Sequence, residues 1–304
     1  MSAALSRAQW RQAGLLTLGA VILLLGLYFF RGGPELTHMD FVTGGPGALE
    51  FCDAANPRFL PVVARSSPVS MALRTGAIPI AWDRVESVLL LRTNTGKAIG
   101  AGDLQPTDGG MMNLLIVDPE LGDIQSVQPL PGTKQGEWPF AFTPHRAGVY
   151  RIFADLTPVA TGQEMYASVD LVVKAAPGPE LPVRPPASGQ FDRNGLRFTL
   201  RPALGTIRAR EPADLVFTVS RLDGSSLALR PSAGAAARLV AFDIKRTGFV
   251  NLRPEPYGAT SAGEPAARLT FKVMIPDSGR YVVWSRVNAG GGEIAASFSL
   301  DVIP

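Results

Sequence analysis

The sequence predicts a mainly β protein, with one N-terminal transmembrane helix followed by two tandem antiparallel β-sandwiches. Three observations carry the prediction. An uncharged apolar run occupies residues 13–30, short apolar segments punctuated by Gly and Pro fill the remainder, and those segments fall into two copies of one pattern. The 304 residues include 32 Gly and 26 Pro, as many turns between short strands require, and the 46% apolar content is enough for two cores.

The helix comes first. Residues 13–30 read AGLLTLGAVILLLGLYFF, without a charge and with Thr17 as the one clearly polar side chain. In helical form this run spans about 27 Å, close to the roughly 30 Å of a bilayer core. Trp10 before it and Tyr28, Phe29 and Phe30 at its end sit where bulky or amphipathic rings favour the membrane interface. A cleaved signal peptide has a shorter apolar region and ends in small residues, whereas this run ends in YFFR, so an uncleaved anchor is expected. Arg7 and Arg11 precede the run, while Arg31 after it is soon offset by Glu35 and Asp40. That bias places a tail of residues 1–12 in the cytoplasm and the bulk of the chain in the periplasm, at a bacterial inner membrane. Gly14, Gly19 and Gly26 would allow another membrane helix to approach closely.

Residues 31–67 follow as an extended segment. It contains GGPG at 44–47 yet carries Leu49, Phe51, Phe59, Leu60, Val62 and Val63, which is too apolar for a free tether. It is therefore expected to lie against another protein or the first sandwich, with Phe51, Cys52, Phe59 and Leu60 as candidate contacts.

The repeat organises the rest. Asp118 and Asp243, Pro129 and Pro254, and Pro131 and Pro256 are each separated by 125 positions. Gly148-Val149-Tyr150 and Gly279-Arg280-Tyr281 follow at 131, as a longer loop in the second copy requires, and Leu73-Arg74 mirrors Leu200-Arg201 at 127. In the first copy, strands are expected at 87–93, 112–117, 138–143, 149–156 and 166–173. In the second they are expected at 196–202, 214–222, 238–244, 269–275, 280–287 and 297–303. Short strands at this spacing indicate immunoglobulin-like sandwiches at 68–173 and 195–304. Between them, the Pro-rich stretch 174–194 reads as a semi-stiff linker. Each G-x-Y element resembles the start of a late strand whose tyrosine hydroxyl ties a corner to the backbone.

The segments around Val127-Gln128-Pro129 and Leu252-Arg253-Pro254 resemble bacterial secreted domains of the YtkA-like and FixH-like kind, in which a loop D-x-x-x-x-x-F-x-H-x-H-P precedes a G-x-Y strand. The resemblance implies a metal site, commonly copper, at the two histidines. Here those places hold Ser126 and Gln128 in the first copy and Asn251 and Arg253 in the second, none a good copper or zinc ligand. The resemblance thus supports the fold and argues against the metal.

Other chemistry is sparse. His38 and His145 are the two histidines, Met111 and Met112 would point to opposite faces of a strand, and Cys52 is the single cysteine, so no intrachain disulfide forms. No G-x-S-x-G, H-E-x-x-H or phosphate-cradling glycine loop is present, and Gly290-Gly291-Gly292 reads as a hairpin turn. The net charge of +3 is scattered singly, which gives nucleic-acid binding no support. The expectation is a non-enzymatic accessory subunit without cofactor, held by membrane lipid and bracing the other subunits of a larger complex such as an electron-transfer assembly. A membrane-tethered copper-handling protein and a surface adhesion or ligand-binding module are the alternatives.

Overall fold

The computed structural model describes residues 7–30, 36–41, 59, 61–63, 67–107, 110–177, 186–230, 235–255, 265–289 and 292–304; of the helix at 7–30 it describes the side chains of Trp10 and residues 15–25. The chain forms two units, residues 1–36 and 37–304.

The first unit holds α1 (Arg7–Phe30), built from helix-favouring Leu and Ala without an internal proline. Its described apolar side chains point outward on every side: Leu15, Leu16, Leu18, Ile22, Leu23 and Leu24 are all exposed. Among the described residues no helix is long and apolar enough to cross a membrane.

The second unit is mainly β and antiparallel. The first copy contributes β1 (Val69–Thr75), β2 (Val85–Thr93), β3 (Met112–Val117), β4 (Ile124–Val127), β5 (Glu137–Phe142), β6 (Gly148–Leu156) and β7 (Met165–Val173). They form two sheets, ordered β1-β2-β5 and β4-β3-β6-β7. The core lies between these sheets: Trp138 is fully buried, its Nε1 donating to the Ile99 carbonyl at 3.0 Å, and Phe142 of β5 meets Tyr150 of β6 at 6.0 Å between ring centroids.

The second copy contributes β8 (Gln190–Arg193), β9 (Leu196–Pro202), β10 (Ile207–Arg208), β11 (Pro212–Arg221), β12 (Ala237–Asp243), β13 (Phe249–Leu252), β14 (Ala266–Met274), β15 (Gly279–Asn288) and β16 (Glu293–Ile303). The sheets are β14-β11-β9-β8 and β10-β16-β15-β12-β13, with β10 pairing parallel to β16 and the other pairs antiparallel. Phe198, Phe217, Phe271 and Phe298 fill the core, and Phe217 of one sheet meets Phe298 of the other edge to face at 6.3 Å. β8 lies inside the stretch read as linker from its prolines, because the β8–β9 hairpin turns at Asn194-Gly195, both with positive φ.

The two copies share one strand order. Sheet β4-β3-β6-β7 corresponds to β13-β12-β15-β16, and β1-β2-β5 to β9-β11-β14. Repeat-equivalent details recur: Leu121 and Arg246 both take left-handed φ (57° and 56°), and Asp118 and Asp243 each cap the following turn through Oδ1. Tyr281 Oη donates to the Asp277 carbonyl at 3.0 Å, and Tyr150 Oη accepts from the Arg146 amide at 3.1 Å, each reaching back four residues.

The sandwiches are stacked rather than strung apart. The outer face of β3 and β6 packs on the outer face of β12 and β15, so the equivalent sheets of both copies meet, as in an isologous dimer interface. Phe153 sits 5.1 Å from Phe249 and 5.9 Å from Phe242, and Tyr166 sits 5.4 Å from Phe249. Trp284 Nε1 donates to the Leu121 carbonyl at 3.1 Å; Arg151 Nη1 donates to the Arg246 carbonyl at 2.7 Å, and Arg246 Nη1 to the Val149 carbonyl at 2.6 Å.

Of the segment at 31–67, Phe59 is buried against the second sandwich, where it meets Tyr281 edge to face at 5.6 Å and its amide donates to the Met274 carbonyl. The sequence argument placed it on a partner or the first sandwich; the edge strand β14 and the ring of Tyr281 hold it instead. Val62 joins the layer between the sandwiches, while Asp40 pairs with Lys97 of the first at 2.7 Å. Phe51, Cys52 and Leu60 lie outside the described residues.

Candidate functional site

Beside the shared layer, toward β4 and β13, lies a cavity of about 610 Å³ lined by both copies. This is the size of pocket that takes a small organic ligand. Its walls are repeat-equivalent. The first presents Asn113 from β3, Asp155 from β6, Ser126 from β4, Gln128 just beyond it, and Glu164 before β7. The second presents Arg238 from β12, Arg286 from β15, Asn251 and Arg253 at β13, and Glu293 from β16.

Register explains why these side chains converge. Asn113 pairs with Asp155 across β3 and β6, and Arg238 with Arg286 across β12 and β15. The offsets of 125 and 131 map 113 onto 238 and 155 onto 286. Side chains two residues along each strand, Leu115, Phe153, Val240 and Trp284, close the apolar layer beside the cavity. At equivalent positions, then, one wall carries an amide and a carboxylate and the other two guanidiniums.

The site's electrostatics follow from burial. Asp155 is pushed up to about 7, first by loss of solvent and then by Glu164, with Arg253 and Arg238 opposing. Its carboxylate accepts one long hydrogen bond across the cavity, from Asn251 Nδ2 at 3.5 Å. Burial lowers the pKa of Arg286 although Glu293 stands 3.7 Å away. Glu164 accepts from the Tyr166 hydroxyl at 2.7 Å, and Ser126 donates to Asn113 Oδ1 at 2.6 Å.

Four residues singled out in the sequence, Ser126, Gln128, Asn251 and Arg253, all line this cavity. Their convergence is new information, since nothing in the spacing alone says that the two loops face each other. Among the described residues no group of three or more His, Cys, Asp or Glu is placed to hold a metal ion.

The other sequence-nominated residues lie elsewhere. Trp10 is exposed on α1, and a Cβ added at Gly19 would meet nothing within 4 Å. Gly14, Gly26, Tyr28, Phe29 and Phe30 belong to the same helix, with side chains outside the described set. His145, whose side chain is partly exposed, lies 2.8 Å from Asp123 and packs on Trp82 at 4.8 Å between ring centroids. Met112 is buried in the first sandwich.

Residues 191–303 match the model of a domain of unknown function (DUF8832), which corresponds to β8 through β16. No curated protein matches the chain. Among solved structures it is similar to a DUF4785 family protein from Legionella pneumophila, at 10% identity and a TM-score of 0.26, over 77% of this chain and 56% of that one. Salmonella alpha-2-macroglobulin matches at 14% identity and a TM-score of 0.25, over 78% of this chain and 16% of that one. The fibronectin(III)-like modules of Clostridium thermocellum CbhA match at 9% identity and a TM-score of 0.21, over 77% and 94%. This chain thus spans about half the length of the first and about a sixth of the second.

Proposed function

We propose that the protein is a non-catalytic accessory subunit of a larger bacterial inner-membrane complex, anchored by α1 with its N-terminus in the cytoplasm. Its two immunoglobulin-like sandwiches brace the periplasmic face of that complex. One observation carries the reading: an uncharged run at 13–30 lies within a continuous helix whose described apolar side chains are exposed all round. A helix apolar on every side is stable in water only when something apolar covers it, and lipid or a partner's membrane helix meets that need.

The stacked sandwiches support the bracing role. A body fused through buried aromatic rings and cross-copy hydrogen bonds resists bending, as a brace must. The tyrosine ties at Tyr150 and Tyr281 support the immunoglobulin-like type.

The test has two arms. Membranes holding the full chain are washed with alkaline carbonate, and the same is done for a chain lacking residues 1–36. The full chain is expected to stay with the membrane and the shortened one to be released. Mild-detergent extracts of native membranes are then sized. Migration within a larger assembly is expected, and migration as a lone monomer overturns the subunit role.

A further inference from the structure

We propose that an apolar flank of the first sandwich binds the same flank of a second copy of this chain across a two-fold axis. The flank consists of Ile78, Ile80 and Trp82 before β2, with Val149 of β6 and Val172 of β7. The inference goes beyond anchoring and bracing and does not rest on either.

Local structure puts these side chains on one surface. Val149 and Val172 are register partners on the face of β6 and β7 that carries Phe153. Ile80 bridges to Lys174 just past β7, so residues 78–82 extend that sheet, with Ile78, Ile80 and Trp82 turned out and Pro79 and Ala81 buried. The five outward side chains are 37–59% exposed, and a contiguous apolar surface of this kind marks an interaction site. Trp82 is also fixed in place: its amide donates to the Pro144 carbonyl at 2.6 Å and its ring packs on His145. An indole held in this way is suited to anchor the centre of an interface.

The second copy supplies an internal control. Ala81 donates its amide to the Lys174 carbonyl at 2.9 Å, and Ala209 donates to the Ile303 carbonyl at 2.8 Å. Trp82 and Arg210 both take left-handed φ, 72° and 67°. Ile78, Ile80 and Trp82 are therefore equivalent to Thr206, Arg208 and Arg210, each 128 positions on. Val149 and Val172 are equivalent to Arg280 and Asp301, which are likewise register partners and form an ion pair at 3.2 Å. All five second-copy residues are polar and exposed. The fold is thus served by polar side chains at these positions, and the apolar set in the first copy calls for cover from outside.

Two features select a second copy as that cover. The flank continues the sheet face that already packs, within the chain, on its repeat-equivalent, so this kind of surface pairs with its own kind. Its rim carries both signs equally, Arg84 and Lys174 against Asp83 and Glu86, all exposed. A two-fold axis can set opposite signs of such a rim against each other, whereas an anionic lipid surface calls for an excess of cations.

The test is co-purification of two differently tagged full chains, expressed together in a heterologous host and extracted in mild detergent. Isolating one tag is expected to bring the other with it. Two variants give the first copy the residues of the second: Ile78→Thr with Ile80→Arg and Trp82→Arg, and separately Val149→Arg with Val172→Asp. Each is expected to reduce the recovered second tag at least fivefold while leaving the urea midpoint of the chain unchanged, since every altered side chain is exposed. Absence of the second tag with the unsubstituted chain overturns the proposal, which would leave lipid or another protein as the cover. Undiminished recovery with either variant also overturns it, because the copies then associate through α1 or another surface.

Discussion

Gly148 and Gly279 occupy equivalent places at the start of β6 and β15, with φ of 125° and 144°. Both backbones favour glycine, yet their surroundings differ. A Cβ at Gly148 would stand 2.5 Å from Pro119 Cγ, whereas at Gly279 nothing lies within 4 Å. Alanine at 279 therefore carries backbone strain alone, on the order of 1–2 kcal/mol, and alanine at 148 adds a clash with a rigid ring. Urea unfolding should show Gly148→Ala as the more destabilising of the two by at least about 1 kcal/mol. Asp155 makes a second residue-scale case, governed by charge. Its folded pKa of about 7 lies above the ordinary carboxylate value, so the folded state holds a proton that the unfolded chain gives up near pH 4. Its contribution is fully present below about pH 4 and is lost as pH rises to about 7, a swing of a few kcal/mol. Asp155→Asn is expected to flatten the fall in stability over that window and to raise stability at pH 8, measured by urea unfolding across pH.

At the scale of elements, strands with one wet face were legible from alternation. β2 buries every second residue of VESVLLLRT, and β11 follows the same rule in PADLVFTVSR. Short strands left no such trace: β4, β8, β10 and β13 have four residues or fewer, too few for a period to register. β3 and β12 carried a signal of another kind. MNLLIV and ARLVAFD are apolar almost without interruption, as a strand buried on both faces must be, and that alone announces a third layer against the sandwich. The cavity was not legible for the same reason. Ser126, Gln128, Asn251 and Arg253 stood out as positions but not as neighbours, because their meeting depends on which sheet of each copy faces the other. Had the double-sided burial of β3 and β12 been combined with the repeat, the face of contact would have followed. Phe59 shows a different limit: an aromatic side chain in an extended segment says that it needs cover, not where it finds it.

For the molecule as a whole, the shared layer makes the two sandwiches one cooperative unit. Val240, Phe242, Phe249 and Val282 from one copy and Leu115, Val117, Leu121 and Phe153 from the other are all buried there. At roughly 1.5–3 kcal/mol for each large apolar side chain taken out of water, the layer contributes on the order of 10 kcal/mol, comparable with the stability of an ordinary domain. Opening it would cost about as much as unfolding a sandwich, so an intermediate with one sandwich intact and the other unfolded has little to stabilise it. Calorimetry of a chain spanning residues 37–304 should accordingly give one transition, with equal calorimetric and van't Hoff enthalpies. Phe153→Ala, which removes a ring touching both Phe242 and Phe249, should lower that transition and begin to split it, because the layer weakens while each sandwich core stays whole. Two resolved transitions in the unsubstituted chain would mean that the sandwiches unfold independently, and that the layer is a contact rather than a core.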